Sequence, residues 1–155
     1  MAARDDLAAR AVYSIVGDRY VFLATGAETA GACFIFEAYV PSGNGSPPHV
    51  HHREDELFYV VEGEFEFTVA GATMRLTAGG SLLGRRDVPH RFRNVGPDAG
   101  KLIIAVTPAG LDDYFMEVGA KLEGPDSPPI PPTPEDVARL REAAPRYGLE
   151  ILDHA

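Results

Sequence analysis

Eight short runs rich in aromatic or β-branched residues, each fenced by Gly, Pro, Asn or Asp, leave this chain few ways to fold. They are Val21–Ala24, Cys33–Val40, Glu56–Glu62, Glu64–Val69, Thr73–Leu76, Ser81–Leu83, His90–Asn94 and Lys101–Val106. Runs of this length and composition suit a pleated, half-buried surface, and the close punctuation leaves no room for crossover helices between them. Glu62-Gly63 and Ala70-Gly71 are natural hairpin points, since glycine tolerates the positive φ of a tight turn, and Gly79-Gly80 marks a further bend. The expected class is all-β, an antiparallel sandwich or barrel, and 155 residues suffice for one core without disulfide support.

Within that frame His49-Val50-His51 has a geometric meaning. Residues two apart on a strand point to the same side, whereas on a helix they diverge by about 200°. The pair therefore asks for a strand, and together with Glu56 and His90 it offers three imidazoles and a carboxylate, donors suited to a first-row divalent ion. Three of the chain's five histidines are used in this way. His52 points to the opposite side of a regular strand and is read as non-ligating, and His154 as a terminal residue without function.

The spacing of the whole segment is more specific than its donors. Gly43, five residues, His49, one residue, His51, four residues, Glu56, six residues and Gly63 resemble the first signature of the cupin superfamily without a gap. Gly79 and the run Pro89-His90-Arg91-Phe92-Arg93-Asn94 resemble the second, with Arg85 and Asp87 standing where that pattern usually carries Pro and Gly. The resemblance extends from about Val21 to Val106. It implies a jelly-roll, double-stranded β-helix, with metal ligands at His49, His51, Glu56 and His90.

Strand parity sends Glu56, Phe58 and Val60 inward, with Leu57, Tyr59 and Val61 on the opposite side; from His90 it sends Phe92 and Asn94 inward. Phe58, Val60, Phe92 and Asn94 are thus candidates for the wall of an apolar pocket, or ordinary core residues. Tyr59 and Val61 are candidates for a subunit interface, small cupins commonly forming homodimers through a sheet. Arg85, Arg86, Arg91 and Arg93 are read as a solvated turn and strand edge in preference to an anion-attracting mouth.

The expected organisation is an N-terminal segment (1–20), the barrel (21–110), a short helix (111–123) and a Pro-rich arm with a C-terminal helix (124–155). Leu111, Tyr114, Phe115 and Val118 recur at helical spacing over Leu111–Leu122, a lid or packing surface. In the arm, six prolines between Pro125 and Pro134 stiffen an extended connection. Thr133-Pro134-Glu135-Asp136 then reads as a helix start, with Val137, Leu140 and Ala144 as its apolar stripe and Pro145 as its stop. The arm should pack on the barrel or on a neighbouring subunit.

A net charge of −9 argues against a nucleic-acid partner, because phosphate binding calls for a basic face. The single cysteine, Cys33, is read as a small buried hydrophobe, and with no secretory-type leader or membrane-length apolar run the chain is expected to be cytoplasmic. The layout resembles quercetin-dioxygenase-like cupins. That implies one divalent transition metal ion per chain (Fe, Mn, Ni, Co or Zn) and a dioxygenase acting on a small aromatic or enolisable substrate such as a flavonol, with Glu56 doubling as base. A non-redox isomerase, lyase or decarboxylase using Glu56, Tyr39 or Tyr59 as proton shuttle, and a non-catalytic metabolite-binding cupin, are the alternatives.

Overall fold

The structure, a computed structural model, describes residues 10–153. Among them two antiparallel sheets face each other. The larger has the order β11-β1-β2-β3-β10-β5-β8 and the smaller β12-β4-β9-β6-β7. The strands are β1 (Val12–Ile15), β2 (Asp18–Ala24), β3 (Phe34–Val40), β4 (His49–His51), β5 (Asp55–Glu62) and β6 (Glu64–Val69). They continue with β7 (Ala72–Thr77), β8 (Ser81–Gly84), β9 (His90–Asn94), β10 (Gly100–Thr107), β11 (Ala120–Lys121) and β12 (Leu149–Ile151). The expected all-β jelly roll is the fold observed, and its two helices, α1 (Leu111–Val118) and α2 (Pro134–Ala143), lie after the main strands.

Period-two alternation builds the core. Phe34, Phe36, Ala38 and Val40 of β3 face Leu102, Ile104 and Val106 of β10, and Phe65, Phe67 and Phe92 approach from the other sheet, all buried. Each such large side chain contributes about 1.5–3 kcal/mol by leaving water. Parity holds on β5: Glu56, Phe58 and Val60 are buried, while Leu57, Tyr59 and Val61 are 44%, 45% and 40% exposed on the outer face. Beside them Leu83 of edge strand β8 is 50% exposed, which makes this outer face apolar.

The larger sheet begins at Val12, nine residues before the first expected strand. The four-residue β1 contains a serine, and its hairpin turns on Val16 and Gly17 at φ +43° and +88°, a conformation rare for valine, so neither strand nor turn carries a strong local signal. Helix α1 stops at Val118 and not at Leu122: the Gly119 N–H bonds to the Phe115 carbonyl, and the chain leaves as β11 to pair with β1. Cys33 is half-buried just ahead of β3, not a core residue. Asp87, which replaces the usual glycine, keeps the left-handed backbone at φ +66°, a state that short polar side chains tolerate better than most. The turn therefore survives the substitution.

The arm packs on its own barrel. Thr133 and Asp136 form a reciprocal cap, each side chain bonding the other's backbone N–H, with Pro134 opening α2. The helix buries Leu140 and Ala143, and Ala144 follows in the same face; Val137, 39% exposed, lies outside the stripe expected of it. Beyond α2 a 3-10 turn at Ala144–Tyr147 delivers β12 to the edge of the smaller sheet, where Leu149, Glu150 and Ile151 pair with His51, Val50 and His49. No helix among the described residues is long and apolar enough to cross a membrane.

Candidate metal centre

Three strands converge on one point. β4 supplies His49 and His51 from the same face, β9 supplies His90 directly opposite His49, and β5 of the facing sheet supplies Glu56. All four side chains are buried, and one ligand atom from each lies within 4.8 Å of the others. Glu56 Oε2 is 3.0 Å from Nε2 of His51, 3.0 Å from Nε2 of His90 and 3.9 Å from Nε2 of His49. Gly84 leaves room for the His90 ring, since a Cβ there would stand 3.1 Å from it, tighter than ordinary contact.

The far side of each imidazole is tied. Nδ1 of His49 faces the Pro47 carbonyl at 2.8 Å, Nδ1 of His51 the Glu54 carboxylate at 3.0 Å, and Nδ1 of His90 the Val88 carbonyl at 3.2 Å. These partners accept only, so each Nδ1 carries a proton and each Nε2 is turned toward the common point. Nε2 of His51 is moreover buried with no partner in hydrogen-bond geometry, close as Glu56 lies. An orphaned nitrogen, two further aligned imidazoles and a carboxylate constitute a donor set able to hold a divalent ion.

Electrostatics agree. Burial pushes His49 down to about 4, so it is neutral at ordinary pH. Burial would lower His51 too, but the nearby Glu56 charge and the bond to Glu54 override it and raise it to about 9. Burial alone would raise Glu56; the His51 charge, first among the effects of the three surrounding imidazoles, holds it well below the usual carboxylate range. Without an ion, then, a His51 cation balances the carboxylate.

Glu54, 3% exposed, was not singled out by sequence, where it is one acid in a run of three. Its bond fixes the ring of His51 and adds negative charge behind it. Replacing it, as Glu54→Gln, should weaken divalent-ion binding by about 10–100-fold in chelator competition, the usual effect of losing such a partner. An unchanged affinity would deny it that role.

The cluster opens into a cavity between the sheets. The space open to the centres of water molecules is ≈ 50 Å³, room for a few waters, since one needs about 10–15 Å³. Phe92 lines it, as parity suggested, but Phe58, Val60 and Asn94 do not. Phe58 packs behind His90, ring centroids 5.7 Å apart, and Val60 is core. Asn94 spends its amide on a loop, donating to the carbonyls of Val40 and Asp98 and accepting from Gly96 N–H, each at 2.9 Å. Tyr39 stacks under the Arg19 guanidinium and Tyr59 lies on the outer face, so neither is placed to shuttle protons here. Arg86 pairs with Asp55 at the surface, and no lysine or arginine is among the described residues lining the cavity. His52, as expected, turns outward, to Asp87 and Glu150, while His154 lies outside the described residues.

Two tyrosines that the motifs did not mark do line it. Tyr114 of α1 donates to the Leu140 carbonyl at 2.7 Å. Tyr20 of β2 stands on the face it shares with Asp18 and is kept well above the ordinary phenol range by burial and by the charges of Asp18 and Glu56, so it remains a proton donor. Asp18 is fully buried and raised by burial to about 7, against the lowering effect of the Asn44 amide on one oxygen and of the neighbouring Tyr20 hydroxyl.

Residues 30–106 match a family model described as the cupin domain. Polyketide synthase CurC of Streptomyces cyaneus is 35% identical over 82 residues, 52% of this chain and 53% of that protein. H2HPP isomerase of Bacillus subtilis is 31% identical over 88 residues, 52% of this chain and 37% of that protein. The chain thus spans about half, or less, of these curated relatives. The crystal structure of an RmlC-like cupin from Shewanella frigidimarina superposes with a TM-score of 0.62 at 27% identity, covering 73% of this chain and 96% of that one.

Proposed function

Because the chain belongs to the cupin superfamily, we propose that it is a metal-dependent enzyme and, of the chemistries open to such a site, a dioxygenase acting on a small enolisable or aromatic oxygen compound. The observation that carries this reading is the buried quartet of His49, His51, Glu56 and His90 opening into a cavity walled mainly by apolar and aromatic side chains. A divalent ion held there would act as a Lewis acid toward paired substrate oxygens and favour their ionised form. Glu56 is within proton-transfer reach of a hydroxyl brought to that point, and Tyr20, kept protonated beside Asp18, is a further proton-bearing group in the cavity wall. The phenyl and alkyl walls favour an apolar skeleton over a highly charged one, as no lysine or arginine is among the described residues that line the cavity. The narrowness of the cavity favours a substrate smaller than a three-ring flavonol.

One relative favours a second reading. The similarity to an enzyme named H2HPP isomerase supports non-redox proton transfer between Glu56 and Tyr20 on the same kind of substrate. Oxygen consumption separates the two. Protein loaded with Fe²⁺, Mn²⁺, Ni²⁺, Co²⁺ or Zn²⁺ is assayed against a panel of small β-dicarbonyls, 2-oxo acids and catechols, with and without dioxygen. Uptake of one O₂ per substrate consumed supports the dioxygenase. Turnover that persists anaerobically transfers the assignment to the isomerase or lyase class, and binding without turnover under either atmosphere ends the enzyme reading.

A further inference from the structure

The donor atoms and one wall of the cavity come from the segment that the family model covers, residues 30–106. Much of the remaining wall comes from outside it, including Leu140 of α2 and Leu149 and Ile151 of β12. Directly opposed residues of an antiparallel pair project to the same face, so the register that sets Leu149 against His51 and Ile151 against His49 lays two aliphatic side chains alongside two of the imidazoles. Leu140 is carried in from another direction, its carbonyl bound by the Tyr114 hydroxyl at 2.7 Å.

We infer that the C-terminal arm, residues 124–153, selects substrates by size, with Leu140, Leu149 and Ile151 as the specificity-determining residues. The inference rests on the proposed binding of paired oxygens at the metal centre. Fixing a substrate by its oxygens at His49, His51, Glu56 and His90 leaves its carbon skeleton to be accommodated by the walls. Strands β3, β5, β9 and β10 are paired along both edges and give little. By contrast β12 is an edge strand with β4 as its one ladder partner among the described residues, and α2 is held by packing, its cap and a few side-chain bonds such as Tyr114 to the Leu140 carbonyl. Differences in the arm can therefore reshape the cavity without disturbing the donors, and with ≈ 50 Å³ for water centres the present arm leaves space for a compact skeleton only.

Two chelators with the same pair of oxygens and different tails test this. Acetohydroxamate and benzohydroxamate are titrated into Co²⁺-loaded protein and followed through the visible Co²⁺ bands. The parent protein should bind acetohydroxamate about tenfold or more tightly than benzohydroxamate. In Leu140→Ala, and separately in Ile151→Ala, that ratio should move by about tenfold or more toward benzohydroxamate, the order expected when an apolar group gains room, with the acetohydroxamate affinity nearly constant. Ile151 is only half-buried, so its variant remains informative if Leu140→Ala folds poorly. A ratio unchanged in the folded variants overturns the inference while leaving the metal centre intact. Failure of both hydroxamates to perturb bound Co²⁺ in the parent protein removes the chelation reading, and the size selection with it.

Discussion

Saturating the ion-free protein with a divalent transition metal should raise its Tm by about 8–16 °C. An ion present at about a thousand times its Kd and bound only by the folded state adds about 4 kcal/mol, and for a chain of this size each kcal/mol moves Tm by about 2–4 °C. Replacing His49 and His90 together by asparagine should abolish the shift, because two donors cannot hold the ion against water. Glu56→Gln keeps the shape and three imidazoles, and should weaken binding by about a hundredfold while leaving a smaller shift. An equal shift in the double variant would place the ion elsewhere. The pH dependence follows from His51. Its proton must leave as the ion enters, while neutral His49 and ionised Glu56 have none to lose. Through this proton, affinity should therefore rise about tenfold per pH unit below 9, and its release on ion binding is measurable by calorimetry in buffers of different ionisation enthalpy. In the ion-free protein the sign is opposite: a His51 raised from 6.5 to about 9 stabilises fully below the lower value and ceases to do so as pH climbs through the upper one.

Removing the last helix and strand should damage both the fold and the metal centre. Truncation after Pro132 takes away Leu140, Ala143, Ala144 and Leu149 from the core and leaves β4 without the ladder partner that borders His49 and His51. Burial of the two leucines is worth about 3–6 kcal/mol by itself, so a fall in Tm of about 8 °C or more is expected, with accelerated amide exchange along β4. Metal affinity should drop as well, since the Leu152 N–H to Pro48 carbonyl and His52 N–H to Gly148 carbonyl bonds that flank the ligand strand are lost. A truncated protein with parental Tm and parental metal affinity would show the arm to be a passive appendage.

Much of this molecule is legible in short windows of its sequence. Alternation placed the inner and outer faces of β5 and β9, since a strand's side-chain period is fixed by backbone sterics. The α2 cap was readable because Thr133, Pro134 and Asp136 interact only with one another's backbone. His49, His51, Glu56 and His90 were readable because donor chemistry and motif spacing coincide. Where reading failed, the deciding partner lay far along the chain. Phe58 and Asn94 face inward as parity requires, yet whether an inward residue meets a cavity, a ring or a loop carbonyl depends on what the facing sheet brings. Glu54 became a histidine's partner only through the bend after β4, and Tyr20 a cavity residue only through the closure of one sheet over the other. Leu149–Ile151 is too short to be seen as a strand, and it is one because β4 offers an unpaired edge. Periodicity, turn chemistry and ligand type are properties of neighbouring residues, fixed before folding. Cavity size, the roles of Tyr20 and Glu54 and the reach of the arm depend on packing between segments far apart along the chain, such as those of Tyr20 and Ile151, and only closure of the barrel sets them.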